Sequence, residues 1–205
     1  MKIQNANERG MTLIEIIVVI GIFGIISIAI SSFQRNIFVF NKFSADSLTN
    51  IQDAQTIVRT MVKELRAASS GNNGAFAISQ AATNTITFFS DTDSDGLKEQ
   101  IRYFIASSTL IKGSIKPSGL PLTYNPVNEN TYTLAYNVKN STSTPLFEYF
   151  DSNYMGTSTP LAYPLTVTNI HLVKIILLLD SDPNRSPPVR MYTSQVNIRN
   201  LKDNL

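Results

Sequence analysis

Residues 9 to 33, Arg9-Gly10-Met11-Thr12-Leu13-Ile14-Glu15-Ile16-Ile17-Val18-Val19-Ile20-Gly21-Ile22-Phe23-Gly24-Ile25-Ile26-Ser27-Ile28-Ala29-Ile30-Ser31-Ser32-Phe33, decide how the rest of the chain is read. No side chain from Ile16 to Gln34 is charged. At about 1.5 Å per residue such a helix matches the ~30 Å of hydrocarbon in a bilayer, so the stretch predicts a membrane-spanning segment. Glu15 stands one turn inside the apolar run. A carboxylate deep in lipid costs about 2.5 kcal/mol or more, and less near the interface, so an ionisable residue here is read as functional. The competing reading is that Glu15 only reaches out to the headgroups.

The segment Gly10-Met11-Thr12-Leu13-Ile14-Glu15, preceded by a short leader holding Lys2 and Arg9, resembles the N-terminal signature of type IV prepilins and pseudopilins. The resemblance implies cleavage by a membrane prepilin peptidase between Gly10 and Met11 and N-methylation of Met11. It also makes Glu15 the fifth residue of the mature chain, the acidic position of the family. Phenylalanine is commoner than methionine at the position of Met11. In a filament of such helices the Glu15 carboxylate is neutralised by the N-terminal amine of a neighbouring subunit, which fixes the axial register of assembly.

The two positive side chains of the leader, Lys2 and Arg9, against Glu8 weakly place residues 1–10 in the cytoplasm and the remainder outside. A secretory signal peptide begins in a similar way, and Ser27-Ile28-Ala29 would serve as its cleavage site. The apolar run is too long for an ordinary signal sequence, however, and it continues as a helical pattern. Leu48, Ile51, Val58, Met61, Val62 and Leu65 recur at helical spacing, and no proline intervenes. One helix is therefore expected from about Thr12 to Ser69, ended by Ser69-Ser70-Gly71-Asn72-Asn73-Gly74.

The 205 residues suffice for one anchor and one domain with a proper core. Seventeen basic against fifteen acidic residues, with no basic block, give no indication of a nucleic-acid partner. Cysteine is absent, so disulfide staples and thiolate metal sites are excluded.

After the helix the signals are those of strands. Thr85–Phe89 and Gln100–Ile105 read as a hairpin, Thr109–Ile115 as a third strand, and Thr131–Val138 and Leu146–Phe150 as further ones. Val173–Leu179 is apolar on both faces except for Lys174 and reads as a central strand. A proline-bearing turn over 180–188 leads to a last strand, Val189–Ile198. The segments Phe147-Glu148-Tyr149-Phe150-Asp151, Val173–Leu179 and Val196-Asn197-Ile198-Arg199-Asn200 resemble the C-terminal half of J-type and PilW-like minor pseudopilins.

Asp91-Thr92-Asp93-Ser94-Asp95-Gly96 sets three carboxylates at alternating positions before a glycine, the opening of an EF-hand-like calcium loop. Glu99 holds the ninth position, but Arg102 stands where the closing bidentate glutamate belongs. The preferred reading is a hairpin loop of Asx turns; the other is a weak calcium site ligated by Asp91, Asp93 and Asp95. His171, the only histidine, approaches an apolar strand, and no serine elbow, phosphate loop or histidine pair is present. The tyrosines of residues 124–163 read as core rather than as a binding patch.

The expected class is α+β and pilin-like: a leader over 1–10, a transmembrane and filament-core helix over 11–34, its amphipathic continuation over 35–70, and a β-rich head over 71–205 with an antiparallel sheet packed on the rear half of the helix. The resemblance implies a minor pilin or pseudopilin of a type IV pilus or type II secretion-like fibre, or of its tip complex. Its partners are then other pilins, the prepilin peptidase, an inner-membrane assembly platform and, before assembly, lipid. No enzyme and no required cofactor are expected, calcium being the one candidate. The alternative is a permanently anchored extracytoplasmic binding module.

Overall fold

The structure, a computed structural model, describes residues 10–180 and 189–198. Residues 1–9 of the expected leader, 181–188 of the expected proline-bearing turn, and 199–205 lie outside them. The chain divides into two units, residues 1–49 and 50–205. One helix, α1 (Leu13–Arg66), enters both. Proline is missing from it, and Lys63 and Arg66 in its last turn suit the negative end of the helix dipole.

In the first unit the described residues are helix and little else, and every side chain from Gly10 to Phe38 is exposed. Leu13, Ile25 and Phe38 keep 76%, 72% and 73% of their surface, far more than a soluble core helix allows.

In the second unit α1 has a buried stripe of Ala54, Val58, Met61 and Leu65, continued by Ala68 just beyond its end. Their spacing of four, three, four and three residues is one face of a 3.6-residue helix. Val58, Met61 and Leu65 were expected there; Leu48 instead is 62% exposed, so the buried face of this unit starts at Ala54. The helix stops as Ser69 N–H donates to the Phe89 carbonyl at 2.9 Å and Gly74 takes a positive φ of 81°. A Cβ at Gly71 would stand 2.8 Å from Asn73 Oδ1 and 3.1 Å from the Phe89 ring, contacts tight enough to favour glycine in that turn.

Two antiparallel sheets follow. The first is a meander, β1 (Ile78–Ala82), β2 (Thr85–Ser90), β3 (Glu99–Ala106), β4 (Thr109–Ile115) and β5 (Asn130–Ala135), in spatial order one to five. The second holds β6 (Phe147–Phe150), β7 (Leu172–Leu179) and β8 (Arg190–Asn197), with β7 central. One antiparallel sheet was expected; the described residues form two, and β1 was not foreseen. Its Ser79-Gln80-Ala81-Ala82 lacks β-branched residues, and its strand state is set by pairing with β2. The sheets join at the β1–β2 turn, where Thr83 O and Asn84 Oδ1 accept from the Phe147 and Leu146 N–H groups and Tyr149 OH donates to Ala82 O.

Ile86 and Phe88 of β2, Ile101 and Tyr103 of β3, and Val173, Ile175 and Leu177 of β7 share one core with the Val58–Leu65 stripe. A polar clamp sits at its edge. Glu64 of α1 accepts from Tyr103 OH at 2.7 Å and from Lys112 Nζ at 2.6 Å, and Tyr103 and Lys112 face each other across β3 and β4. Burial and the Glu64 charge push the Tyr103 phenol far above its ordinary range. On the opposite face Arg102 grips Glu129 with two bonds of 2.9 and 2.6 Å and stacks on Phe104. Glu129 lies where a side chain at position 113 would project, so β4 carries glycine there.

Leu65→Ala empties a fully buried site and is expected to cost about 2–5 kcal/mol in urea unfolding of the detergent-solubilised chain. Val127→Ala, at an exposed position, should stay within about 0.5 kcal/mol.

Candidate functional site

Thr12 is the N-cap of α1 and Glu15 its third helical residue. Glu15 N–H donates to Thr12 Oγ1 at 3.4 Å, while Glu15 Oε2 accepts from the Thr12 N–H at 3.3 Å and from its hydroxyl at 3.4 Å. This reciprocal capping box satisfies two of the amides that a helix start leaves without partners. The Glu15 charge also lies at the positive end of the helix dipole. The Thr-x-x-Glu spacing of Thr12 and Glu15 was the signal for it in the sequence. Glu15 thus keeps its charge exposed in its own chain and engages the first turn of the apolar segment.

From Leu13 to Phe38 the helix is long and apolar enough to cross a membrane, and none of that stretch is covered by protein. Its hydroxyls are satisfied internally. Ser27, Ser31 and Ser32 donate to the carbonyls of Phe23, Ser27 and Ile28 at 2.7, 2.8 and 2.9 Å, which removes the cost of bare O–H groups in lipid. Around Gly21 and Gly24 the space is open, so the helix offers a neighbour two points of close backbone approach. Glu15 and Arg35 bracket the uncharged stretch at a separation of about 30 Å along the axis.

The acidic loop of the head lies between β2 and β3. Asp91 accepts from the Ser94 and Gly96 N–H groups at 2.7 and 3.1 Å, Asp93 from Asp95 N–H at 3.3 Å and Asp95 from Leu97 N–H at 2.8 Å, the bonding of an Asx-turn loop. The carboxylates of Asp91, Asp93 and Glu99 converge to within 4.8 Å of one another. Asp95 turns to Lys116, whose Nζ stands 2.9 Å from it and 2.5 Å from Asp93. That ammonium holds the Asp95 carboxyl below its usual range, and the two aspartates raise Lys116.

His171 sits at the start of β7 with Nδ1 3.3 Å from the Asn169 carbonyl. The tyrosines divide: Tyr149 is core, Tyr124 packs on Phe89, and Tyr132 and Tyr136 are exposed.

The front of α1 has the length and composition for lipid, and a charge at its middle tests whether lipid holds it. Ile25→Lys costs about 2.5–3.5 kcal/mol of insertion, so the ratio of retained to released chain in alkaline membrane extraction should fall roughly a hundredfold. Val127→Lys, in the head, should leave that ratio unchanged.

No curated protein sequence matches the chain. Residues 5–31 match the family model for the prokaryotic N-terminal methylation motif, a span that takes in Gly10, Met11, the Thr12–Glu15 cap and most of the apolar helix. The matched motif is the one carried by type IV pilin-like and pseudopilin-like prepilins, so the N-terminal segment has the form of a prepilin peptidase substrate.

Proposed function

We propose that the chain is a minor pilin or pseudopilin. It waits as a single-pass protein of the inner membrane with its head outside the cytoplasm, loses residues 1–10 as a leader, is methylated on Met11, and is then drawn by an assembly platform into a fibre or its tip complex. The observation that carries this reading is the complete exposure of an apolar, internally satisfied helix from Leu13 to Phe38. Such a helix has two stable hosts, lipid and the packed helices of other subunits, and moving between them exchanges one apolar environment for another.

Glu15 supplies the direction of that exchange. Cleavage between Gly10 and Met11 turns an amide into a charged amine one residue ahead of the Thr12 cap. Within a bundle of helices, away from water, an amine of one subunit and the Glu15 carboxylate of the next attract far more strongly than at a surface. A displacement along the axis separates the pair, so register follows from charge. Glu15 engages its own cap through Oε2 at 3.3–3.4 Å, bonds long enough to yield to an ammonium.

The minor role draws support from the head. Of the three segments that resemble J-type and PilW-like pseudopilins, Phe147–Phe150 forms β6, Val173–Leu179 lies on β7, and Val196 and Asn197 end β8, the three strands pairing side by side as one sheet. Phe147 pairs with Ile175, and Val173 with Val196.

Intact mass and N-terminal sequencing of the protein expressed with and without a prepilin peptidase test the reading. The expected product begins at Met11 and carries one added methyl group. A chain left uncut in the presence of active peptidase would overturn it, leaving a permanently anchored ectodomain.

A further inference from the structure

Glu99 is an unusual carboxylate. It is 2% exposed, its Oε2 accepts from Thr92 N–H at 2.9 Å and from Thr92 Oγ1 at 2.8 Å, and its Oε1 is buried with no hydrogen-bond partner. A buried carboxylate oxygen without a donor carries its desolvation cost uncompensated, and a cation is one partner that would offset it. Here the group lies with Asp91 and Asp93, all three offering oxygens within 4.8 Å of one another. Asp91 and Asp93 are held in place from behind, by Ser94 and Gly96 amides and by the Asp95 amide. The three carboxylates are pre-set by backbone bonds that an oxygen can keep while it turns a second lone pair to a cation.

We propose that Asp91, Asp93 and Glu99 form a binding site for a hard divalent cation, calcium by preference, in the β2–β3 loop. The ligand set differs from the alternating Asp91, Asp93 and Asp95 of the sequence pattern: Glu99, not Asp95, converges with Asp91 and Asp93, and Asp95 pairs with Lys116. Calcium accepts six to eight oxygens in flexible geometry, with water completing the shell; magnesium demands a near-ideal octahedron and keeps its waters, which suits a partly buried, backbone-pinned cluster less well. Lys116 shares Asp93 with the ion and competes for it. The site would brace the head at a junction: Lys98, in the same loop, donates its N–H to Asn72 Oδ1 at 2.7 Å, and its carbonyl accepts from Tyr124 OH at 2.8 Å, tying the loop to the turn that ends α1. This inference is independent of cleavage and assembly.

The test is thermal and chemical unfolding of the chelator-treated, full-length chain in detergent, titrated with calcium chloride and, separately, magnesium chloride. An extracytoplasmic site with a dissociation constant of about 0.1–1 mM predicts that 5 mM calcium lowers the unfolding equilibrium constant roughly 5- to 50-fold, with magnesium far less effective. Asp91→Asn and Glu99→Gln should each abolish the calcium response while keeping the wild-type circular dichroism spectrum, and Asp95→Asn should retain it. Absence of a saturable calcium response in the wild-type chain would overturn the proposal whatever the variants do. So would a response lost in Asp95→Asn and kept in Glu99→Gln, which would return the ligand set to the alternating aspartates.

Discussion

A leucine, isoleucine or phenylalanine left in water forgoes about 1.5–3 kcal/mol relative to one that is buried, and the segment from Leu13 to Phe38 places such side chains on all sides of one helix. No protein surface covers them. The other local features serve that constraint. Backbone amides at its start are capped by Thr12 and Glu15, and serine hydroxyls along it turn back onto carbonyls. A helix prepared in this way is stable only inside an apolar host. The methylation motif over residues 5–31 takes in the start of this helix and most of its apolar length.

The head solves a different problem, cohesion without a single cysteine. Its apolar core runs from the Val58, Met61 and Leu65 stripe through both sheets. Most polar side chains described at its margin and on the outer sheet face are paired, the buried Ser90 hydroxyl being an exception. Glu64 satisfies Tyr103 and Lys112 together, Arg102 is matched bidentately by Glu129, and Lys174 by Glu148 at 2.8 Å. Glu99, with one oxygen paired and one not, breaks that pattern.

Much of this was legible in the sequence because the relevant periods are long. An uncharged run from Ile16 to Gln34 and a 3.6-residue stripe ending at Leu65 have few alternative readings, and the β2–β3 and β7–β8 strands carry dense β-branched and aromatic residues. What escaped was set by tertiary context. β1 is a strand because β2 pairs with it, not because Ser-Gln-Ala-Ala prefers to be one. The division into two sheets depends on bonds from Phe147 and Leu146 to Thr83 and Asn84, more than sixty residues apart in sequence. In the acidic loop the residue types were visible, but the convergence of Glu99, rather than Asp95, with Asp91 and Asp93 depends on the β2–β3 pairing that sets Glu99 opposite Ser90. The capping box was present in the sequence as Thr-x-x-Glu and was masked by the more conspicuous oddity of a carboxylate in an apolar run.

The central claim is that one charge, Glu15, couples storage in lipid to ordered assembly. The most direct measurement compares Glu15→Val with the wild-type chain in cells that build the fibre, by quantifying the mature protein in the membrane fraction and in sheared fibres. Charge pairing predicts equal membrane content and equal cleavage, with fibre content lowered by about tenfold or more, since the variant leaves a neighbour's amine buried without a partner. Fibres that take up Glu15→Val as readily as wild type would contradict it.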